Sequence, residues 1–298
     1  MTEIFKDFLL SADLQGREKM KNAILSECKD VKIQSIGRSI LGRDIDCFSF
    51  GRGKRRILLV GAHHALESIT ANLLYAFTYS MCSGKAELTS LFASYPRAML
   101  LHSFTYFVIP CLNPDGIELR RHGAEDTPLR ARLERMSGGD FSSWQANARG
   151  VDLNHNYNAC FYEYKHIEKE LDIKPGATLY SGDYPESEPE VRCMANFVRT
   201  VCPSGIISLH TQGGEVFFSP KNDRTRRIAG RIAARSGYVP MMPEGTAMYG
   251  GLCDFTGALG IPSFTVEVGK GVNPLPEEML PSIIPRVLLM LVEFPTYL

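Results

Sequence analysis

The 298-residue sequence has no excess of either charge, because 33 Lys and Arg residues balance 33 Asp and Glu residues. Proteins that bind nucleic acid or an anionic membrane surface normally carry a basic excess, so neither partner is indicated. No uninterrupted apolar run reaches the roughly 20 residues of a membrane span. Residues 1–7 also lack the basic region followed by an apolar segment that is typical of a secretion signal. We therefore expect neither a nucleic-acid nor a membrane partner.

The eight cysteines form no Cys-x-x-Cys pair and follow no regular spacing. Cys111 and Cys202 lie inside apolar runs, where a free thiol behaves as a small hydrophobic group. This distribution predicts reduced cysteines, no structural disulfide and a cytoplasmic location.

Short apolar stretches alternate with segments of helical periodicity along the chain. Predicted strands cover residues 31–36, 44–50, 54–60, 104–110, 205–210, 215–219 and 261–267. Predicted helices cover residues 17–27, 69–81, 87–93, 189–201, 223–236 and 277–293. This alternation predicts a single α/β domain over residues 1–298, with a mixed, twisted sheet of parallel and antiparallel strands and helices on both faces.

Three segments need separate interpretation. Residues 1–30 are predicted to form a helical segment that precedes the sheet, and residues 113–116 are predicted to form a turn. Residues 120–149 are polar and rich in Arg and Gly, and this stretch is too long for an ordinary connection. It is expected to be an active-site loop insertion, or to be partly helical around residues 129–136.

His64 and Glu67 lie where the strand at 54–60 meets the helix at 69–81. In open α/β sheets, ligands bind outside the carboxyl ends of the strands. Because the two residues are three apart, their side chains can face one point on a helical turn. An imidazole and a carboxylate are two of the three protein ligands in one type of hydrolytic zinc site. Alone, the same pair also fits an ordinary helix start on the surface.

Two further strand ends carry polar side chains. His210 closes the apolar strand 205–210, and Glu267 lies inside the apolar run 264–268. Each residue also has a purely structural interpretation. His210 could be a core or edge histidine held by a backbone carbonyl, and Glu267 could lie on the solvent-exposed face of a half-buried strand. A carboxylate in such a run is otherwise costly to bury unless it is paired, bound to a metal or used in catalysis.

Six motifs occur in a characteristic order between Ile36 and Pro276. They are Gly-Ala-His-His-Ala-Leu-Glu at 61–67, Asn-Pro-Asp-Gly at 113–116, Gly-Val-Asp-Leu-Asn at 150–154, Ser-Glu-Pro-Glu at 187–190, Leu-His at 209–210 and Thr-Val-Glu-Val-Gly at 265–269. Together they resemble the zinc carboxypeptidases, the carboxypeptidase A-like metallopeptidases. The resemblance implies a carboxypeptidase A-like fold and a hydrolase that uses one zinc ion per chain.

Carried over by motif, the resemblance implies that His64, Glu67 and His210 hold the zinc ion. Glu267 matches the general base that acts on metal-activated water. Asn154 matches the first of two adjacent residues that bind the terminal carboxylate of the substrate. His63 falls outside the His-x-x-Glu register and is expected to be an outer partner of the site or a core residue.

The chain departs from the family pattern at two arginine positions. His155 stands where the second carboxylate-binding residue is normally Arg, and Gln145 stands where an arginine normally polarises the scissile carbonyl. Gln145, Arg149 and Tyr249 are therefore the candidates for stabilising the oxyanion, and Tyr249 also for binding the substrate. Thr246 competes with Tyr249 for the position of the family's mobile tyrosine. Further candidates for supplying the positive charge of the arginine that normally polarises the scissile carbonyl are Arg120, Arg121 and Arg135.

Residues 149–158 and 209–215 are similar to a bacterial branch that cleaves the γ-D-glutamyl–meso-diaminopimelate bond of cell-wall peptides. The resemblance implies a peptide or muropeptide substrate, processed in the cytoplasm. Two alternatives stay open. One is a zinc carboxypeptidase that removes C-terminal residues from ordinary peptides, with His155 as the carboxylate anchor. The other is a non-catalytic zinc-binding module on the same fold. The oligomeric state is not indicated.

Overall fold

The structure, a computed structural model, describes residues 3–218 and 223–298. Its strands are β1 (Lys32–Arg38), β2 (Asp44–Gly51), β3 (Arg55–Val60), β4 (Phe104–Ile109), β5 (Gly205–His210), β6 (Glu215–Phe218), β7 (Val239–Met241) and β8 (Ser263–Glu267). Its α-helices are α1 (Leu14–Glu27), α2 (Ile69–Cys82), α3 (Arg97–Ser103), α4 (Pro114–His122), α5 (Arg130–Ser137), α6 (Phe161–Glu170), α7 (Pro189–Val201), α8 (Asp223–Ser236), α9 (Leu252–Ala258) and α10 (Leu280–Glu293). Short 3₁₀ helices include Glu3–Phe8, Ala65–Glu67, Ala86–Phe92, Leu153–His155 and Gly245–Ala247.

The strands form one sheet in the order β1-β2-β4-β3-β5-β8-β6-β7. The central strands β4, β3, β5 and β8 are parallel, whereas the pairs β1–β2, β2–β4 and β6–β8 are antiparallel, and the edge strand β7 pairs with β6 in parallel. The predicted mixed sheet is confirmed. Because the four central strands are parallel, their carboxyl ends meet at one edge of the sheet, which is where such folds place ligands.

Apolar cores lie on both faces of the sheet. In β3, Ile57 and Leu59 join one buried cluster, while Leu58 and Val60 join another, as the alternation of side chains along a strand requires. Helices α1, α2, α8 and α10 supply the first cluster, and α7 and α9 supply the second. Helices therefore cover both faces, as predicted. Burial on both faces anchors β3 firmly, since each such side chain contributes about 1.5–3 kcal/mol.

The C-terminal segment Glu277–Tyr297 has the length and apolar composition of a membrane span. Most of it is nevertheless buried in this protein, where α10 contributes Ile283, Val287 and Leu291 to the first core cluster. Its apolar character is accounted for by packing against the sheet and neighbouring helices.

Two details differ from the sequence predictions. Asn113 does not form a simple turn but caps α4, because its side-chain oxygen accepts a hydrogen bond from the backbone N–H of Gly116 at 2.9 Å. Besides α4, the elements α3, α6, α9 and β7 were not predicted. The segment 120–149 is partly helical, as one of its two interpretations predicted, with the end of α4 and all of α5 inside it. Ser219, predicted to end a strand, lies outside the described residues.

Candidate metal centre and substrate cleft

The loop between β3 and α2 turns two polar side chains toward the same point. Ala62 has a φ of +49°, and His64 directly precedes the 3₁₀ helix that ends at Glu67. The hydroxyl of Thr70 accepts a hydrogen bond from the N–H of Ala62 at 2.8 Å and donates one to the carbonyl of Glu67 at 2.7 Å. Thr70 thus ties both ends of the loop together and holds His64 and Glu67 on its inner side.

The three predicted metal ligands come together at the carboxyl edge of the sheet. The Nδ1 atom of His64 lies 2.9 Å from Oε1 of Glu67, and Nδ1 of His210 lies 2.9 Å from Oε2 of the same carboxylate. One donor atom from each residue lies within 4.8 Å of the others. His210 and Glu67 are buried and His64 is partly buried, so the group is closed on most sides.

This group of donors fits a zinc ion. The Oε2 atom of Glu67 is buried and has no hydrogen-bond donor aligned with it, although an imidazole nitrogen is near. Leaving a buried acceptor unsatisfied costs on the order of 1–3 kcal/mol, and more for a charged group. A divalent cation between the three residues would satisfy it. Two imidazoles and one carboxylate are also the ligand set of a catalytic zinc site that keeps one position open.

The imidazole nitrogen of His64 that does not contact Glu67 is held by a buried carboxylate. Its Nε2 lies 2.9 Å from Oδ1 of Asp152, which also accepts the backbone N–H of Asn154 at 3.0 Å. The Oδ2 atom of Asp152 accepts the side-chain amide of Gln145 at 3.0 Å. Such a carboxylate fixes the imidazole tautomer and directs the other nitrogen to the metal. The motif at 150–154 contains Asp152, but this role was not predicted from the sequence. The signal available in the sequence is an acidic residue between two apolar neighbours.

The imidazole nitrogen of His210 that does not contact Glu67 begins a buried chain of hydrogen bonds. Its Nε2 lies 3.1 Å from the hydroxyl of Ser208, which lies 3.3 Å from Nδ1 of His63. The Nε2 of His63 lies 3.0 Å from the hydroxyl of Tyr157. Burial, together with repulsion from His210 and His64, lowers the pKa of His63 well below its ordinary value. His63 is therefore a neutral outer partner of the site.

The charges of the group are strongly coupled. Burial alone would lower the pKa of His64, but the carboxylates of Asp152 and Glu67 raise it well above its ordinary value. Burial opposes ionisation of Glu67, yet His64 and His210 lower its pKa. Without a metal, the group is therefore an ion-paired cluster. Metal binding would displace the proton of His64, so metal affinity should depend on pH.

Glu267 ends β8 beside the metal ligands. Its Cα pairs with that of His210 across the sheet on one side and with that of Glu215 on the other. Burial, and then repulsion from Glu67 and Glu215, raises the pKa of Glu267 well above its ordinary value. Its side chain lines the same cavity as His64 and His210, so the predicted base faces the predicted ligands.

A cavity of about 570 Å³ contains this centre and most of the predicted substrate residues. Its lining includes Gln145, Asn154, His155 and Tyr249, and also Thr246. The outer wall is mainly apolar, formed by Leu179, Phe217, Phe218, Met242, Pro243, Ala247 and Met248. Among the described residues that line the cavity, none is Lys or Arg.

Arg149, a predicted oxyanion donor, is not among the described residues that line the cavity. Its guanidinium lies 3.8 Å from Glu188, and its side chain is 46% exposed. The side chain of Asn147 accepts the backbone N–H groups of Arg149 and Val151. The side chain of Gln145 does line the cavity, but its amide holds Asp152. The further candidates Arg120, Arg121 and Arg135 are absent from the described lining as well.

Comparison with known proteins agrees with this geometry, since a zinc carboxypeptidase profile, that of the M14 peptidases, matches residues 18–242. The chain belongs to the zinc carboxypeptidase family. The match includes the three metal-binding candidates His64, Glu67 and His210, and it ends before Glu267. The carboxypeptidase A-like fold and the zinc cofactor expected from the sequence are therefore confirmed at the level of the family.

Two relatives and one solved structure illustrate the similarity. Gamma-D-glutamyl-L-diamino acid endopeptidase 1 of Lysinibacillus sphaericus is 29% identical over 81% of this chain and 61% of its own length. Murein peptide amidase A of Escherichia coli (strain K12) is 26% identical over 59% of this chain and 58% of its own. The crystal structure of thrombin activatable fibrinolysis inhibitor has a TM-score of 0.74 at 19% identity, covering 97% of this chain and 74% of that one. The chain thus spans about three fifths of the length of either relative.

Proposed function

We propose that this chain is a zinc-dependent peptidase that hydrolyses the γ-D-glutamyl–diaminopimelate bond of cell-wall peptides, as a single domain over residues 1–298. The observation that carries the proposal is the convergence of His64, Glu67 and His210 at the wall of one cavity, which is lined by His64, His210 and Glu267. The two bacterial relatives support the substrate class, because one is named for a γ-D-glutamyl-diamino acid bond and the other for murein peptides.

The residues divide the chemistry between them. Zinc bound at this centre would polarise the scissile carbonyl and lower the pKa of water toward about 7. Glu267 would accept the proton of the attacking water and return it to the leaving amine. Asp152 and Ser208 would hold the imidazoles of His64 and His210 in the tautomer that leaves Nδ1 free to bind the metal.

The partners and location belong to the same proposal. A muropeptide is the proposed substrate, and the balanced charge of the chain supports the absence of a nucleic-acid or membrane partner. A cytoplasmic location is supported by the cysteines, since all eight lie in the described residues and none of them forms a disulfide there.

A substrate panel tests the proposal. Purified protein is given an L-alanyl-γ-D-glutamyl-diaminopimelate peptide or ordinary peptides with a free C-terminus, and the released amine is measured. We expect cleavage of the γ-D-glutamyl bond alone, its loss after chelation, and its recovery with added zinc. Cleavage of only the ordinary peptides would instead support a zinc carboxypeptidase. Stoichiometric zinc without hydrolysis of any peptide would support the non-catalytic module.

A further inference from the structure

Asn154 offers a hydrogen-bond donor to the cavity. Its side-chain oxygen accepts the backbone N–H of Leu252 at 3.2 Å, and because a backbone N–H can only donate, this contact identifies the oxygen. The amide nitrogen has no hydrogen-bond partner among the described residues, and the side chain lines the cavity. The backbone N–H of Asn154 also reaches Asp152, the carboxylate that holds His64, so this donor lies close to the metal centre.

His155, the next residue, offers an acceptor. Its Nδ1 lies 2.9 Å from the carbonyl oxygen of Tyr249, which can only accept, so Nδ1 carries the proton. Burial lowers the pKa of His155, which keeps the ring neutral. The ring is also stacked on Tyr164, with centroids 3.9 Å apart and planes 8° apart. Its Nε2 is therefore a fixed acceptor, and it has no hydrogen-bond partner among the described residues.

A donor beside an acceptor is the wrong pattern for a carboxylate. A carboxylate presents only acceptor oxygens, so one of them would face the lone pair of His155 Nε2. No Lys or Arg among the described lining residues compensates for this. Burying a carboxylate against an unpaired acceptor is unfavourable. A primary carboxamide, in contrast, presents its oxygen as an acceptor and one N–H as a donor on the same edge, and these pair with Asn154 and His155 respectively.

We propose that Asn154 and His155 form a carboxamide-binding site in this cleft. The substrate would be a γ-D-glutamyl peptide in which the carboxyl group of the diamino acid after the scissile bond is a primary amide. A trans peptide bond at that position would not fit, because its N–H points away from its C=O. This inference rests on the proposed function, because it specifies the substrate of the same site. The amide nitrogen of Asn154 donates to the carboxamide oxygen, and the carboxamide N–H donates to Nε2 of His155.

Three matched probes test the proposal. Each is a γ-D-glutamyl-diaminopimelate peptide, and the carboxyl group next to the scissile amide is free, a primary amide, or extended by one residue. We expect kcat/KM at least tenfold higher for the primary amide than for the free acid or the extended probe. Equal values for the amide and the free acid, a preference for the free acid, or a value for the extended probe that equals or exceeds that for the amide would overturn the proposal.

Binding measurements keep this test separate from that of the proposed function. The affinity of the same probes for the zinc-loaded Glu267→Gln variant is measured by calorimetry, which needs no hydrolysis. If the wild type cleaves none of the probes, the proposed function fails. A tenfold tighter binding of an amidated probe would still support the carboxamide site, and equal or weaker binding would overturn it.

Substitution of His155 gives a second test. An arginine offers a pair of donors to a carboxylate, so His155→Arg should reverse the preference toward the free acid. His155→Gln, which offers both a donor and an acceptor, should bring the ratio near one and covers the case in which the arginine variant does not fold. The control is His166→Arg on the exposed surface of α6, which should keep the wild-type ratio. An unchanged ratio in folded His155→Arg and His155→Gln would overturn the proposal.

Discussion

The two ends of the cavity are built differently. At the metal end, ligands come from a strand terminus and a closed loop, and both ligand imidazoles have a buried partner on the outer nitrogen. At the substrate end, Asn154 and His155 lie on a short 3₁₀ helix, and Tyr249 has a φ of +67° in a loop. The sheet thus fixes the part that carries the chemistry, whereas loops form the part that selects the substrate. The metal end follows the family pattern, and the substrate end departs from it.

The largest expected effect concerns the base at the metal end. Glu267→Gln removes the proton acceptor while keeping the shape of the side chain, so the turnover rate should fall about 10²- to 10⁴-fold. Zinc content should not change, because Glu267 is not a ligand. Rates on the γ-D-glutamyl peptide and metal analysis of the same sample check this. A folded, zinc-loaded variant with full turnover would show that the metal end does not work as described.

Asp152→Asn should have the next largest effect. The variant keeps the shape of the side chain but weakens its hold on His64, and loss of such an outer partner typically lowers metal affinity 10- to 100-fold. Competition with a chromogenic chelator measures the change. The control is Asp172→Asn, which alters a carboxylate whose side chain is 83% exposed and should leave zinc affinity as in the wild type. Equal affinities for both variants would contradict the role given to Asp152.

The sequence predicts the metal end better than the substrate end for a physical reason. His64, Glu67 and His210 adjoin strands whose apolar patterns are strong, and parallel strands bring their carboxyl ends together. Gln145 and Arg149, by contrast, lie in a long polar segment, where single hydrogen bonds decide the direction of each side chain. Asn147 accepts the backbone N–H of Arg149, whose guanidinium lies near Glu188, and no periodic pattern reveals such contacts.

The residues that hold the two metal-binding imidazoles are predicted less well than the metal end and better than the substrate end. Asp152 and Ser208 stand in apolar surroundings, where a polar group normally has a specific partner. Asp152 contacts His64, 88 positions away in sequence, and Ser208 links His210 to His63, which lies 145 positions from Ser208, so only the fold identifies these contacts. The cap formed by Asn113 was likewise interpreted as a turn, because the residue types that favour turns also favour helix starts.

Ser208→Ala should have a smaller effect than Asp152→Asn, because it replaces a neutral hydrogen bond to His210 rather than one to a carboxylate. We expect zinc affinity to fall about tenfold or less, at the lower end of the range for outer partners. The chelator assay measures this change as well. Unchanged affinity would mean that the chain through Ser208 and His63 only fills the core.

Glu190→Gln should leave the metal end unaffected and change only stability. Burial, and then the nearby carboxylates of Asp115 and Glu188, raises the pKa of Glu190 to about 8. The unfolded chain releases this proton near its ordinary pKa of 4.5, so the folded state holds an extra proton between about pH 4.5 and 8. The contribution of Glu190 to the free energy of unfolding therefore falls as pH rises through that window, and it levels off above about pH 8.

Denaturant unfolding at pH 5 and pH 8 checks this prediction. Glu190→Gln should reduce the loss of stability between the two pH values, while its zinc affinity at either pH matches that of the wild type. An unchanged pH dependence would contradict the assigned cause. A change in zinc affinity would show that Glu190, with its neighbours Asp115 and Glu188, is coupled to the metal end.

The most direct test of the account is the metal content of three proteins. Wild type, Glu67→Gln and His210→Ala are stripped of metal, dialysed against limiting zinc and analysed for zinc per chain, with folding verified by circular dichroism. We predict one zinc ion per wild-type chain and less than about a tenth as much in either variant, since each loses one of three protein ligands. A folded wild type that binds no zinc, or variants that bind as much as the wild type, would contradict the metal centre on which the account depends.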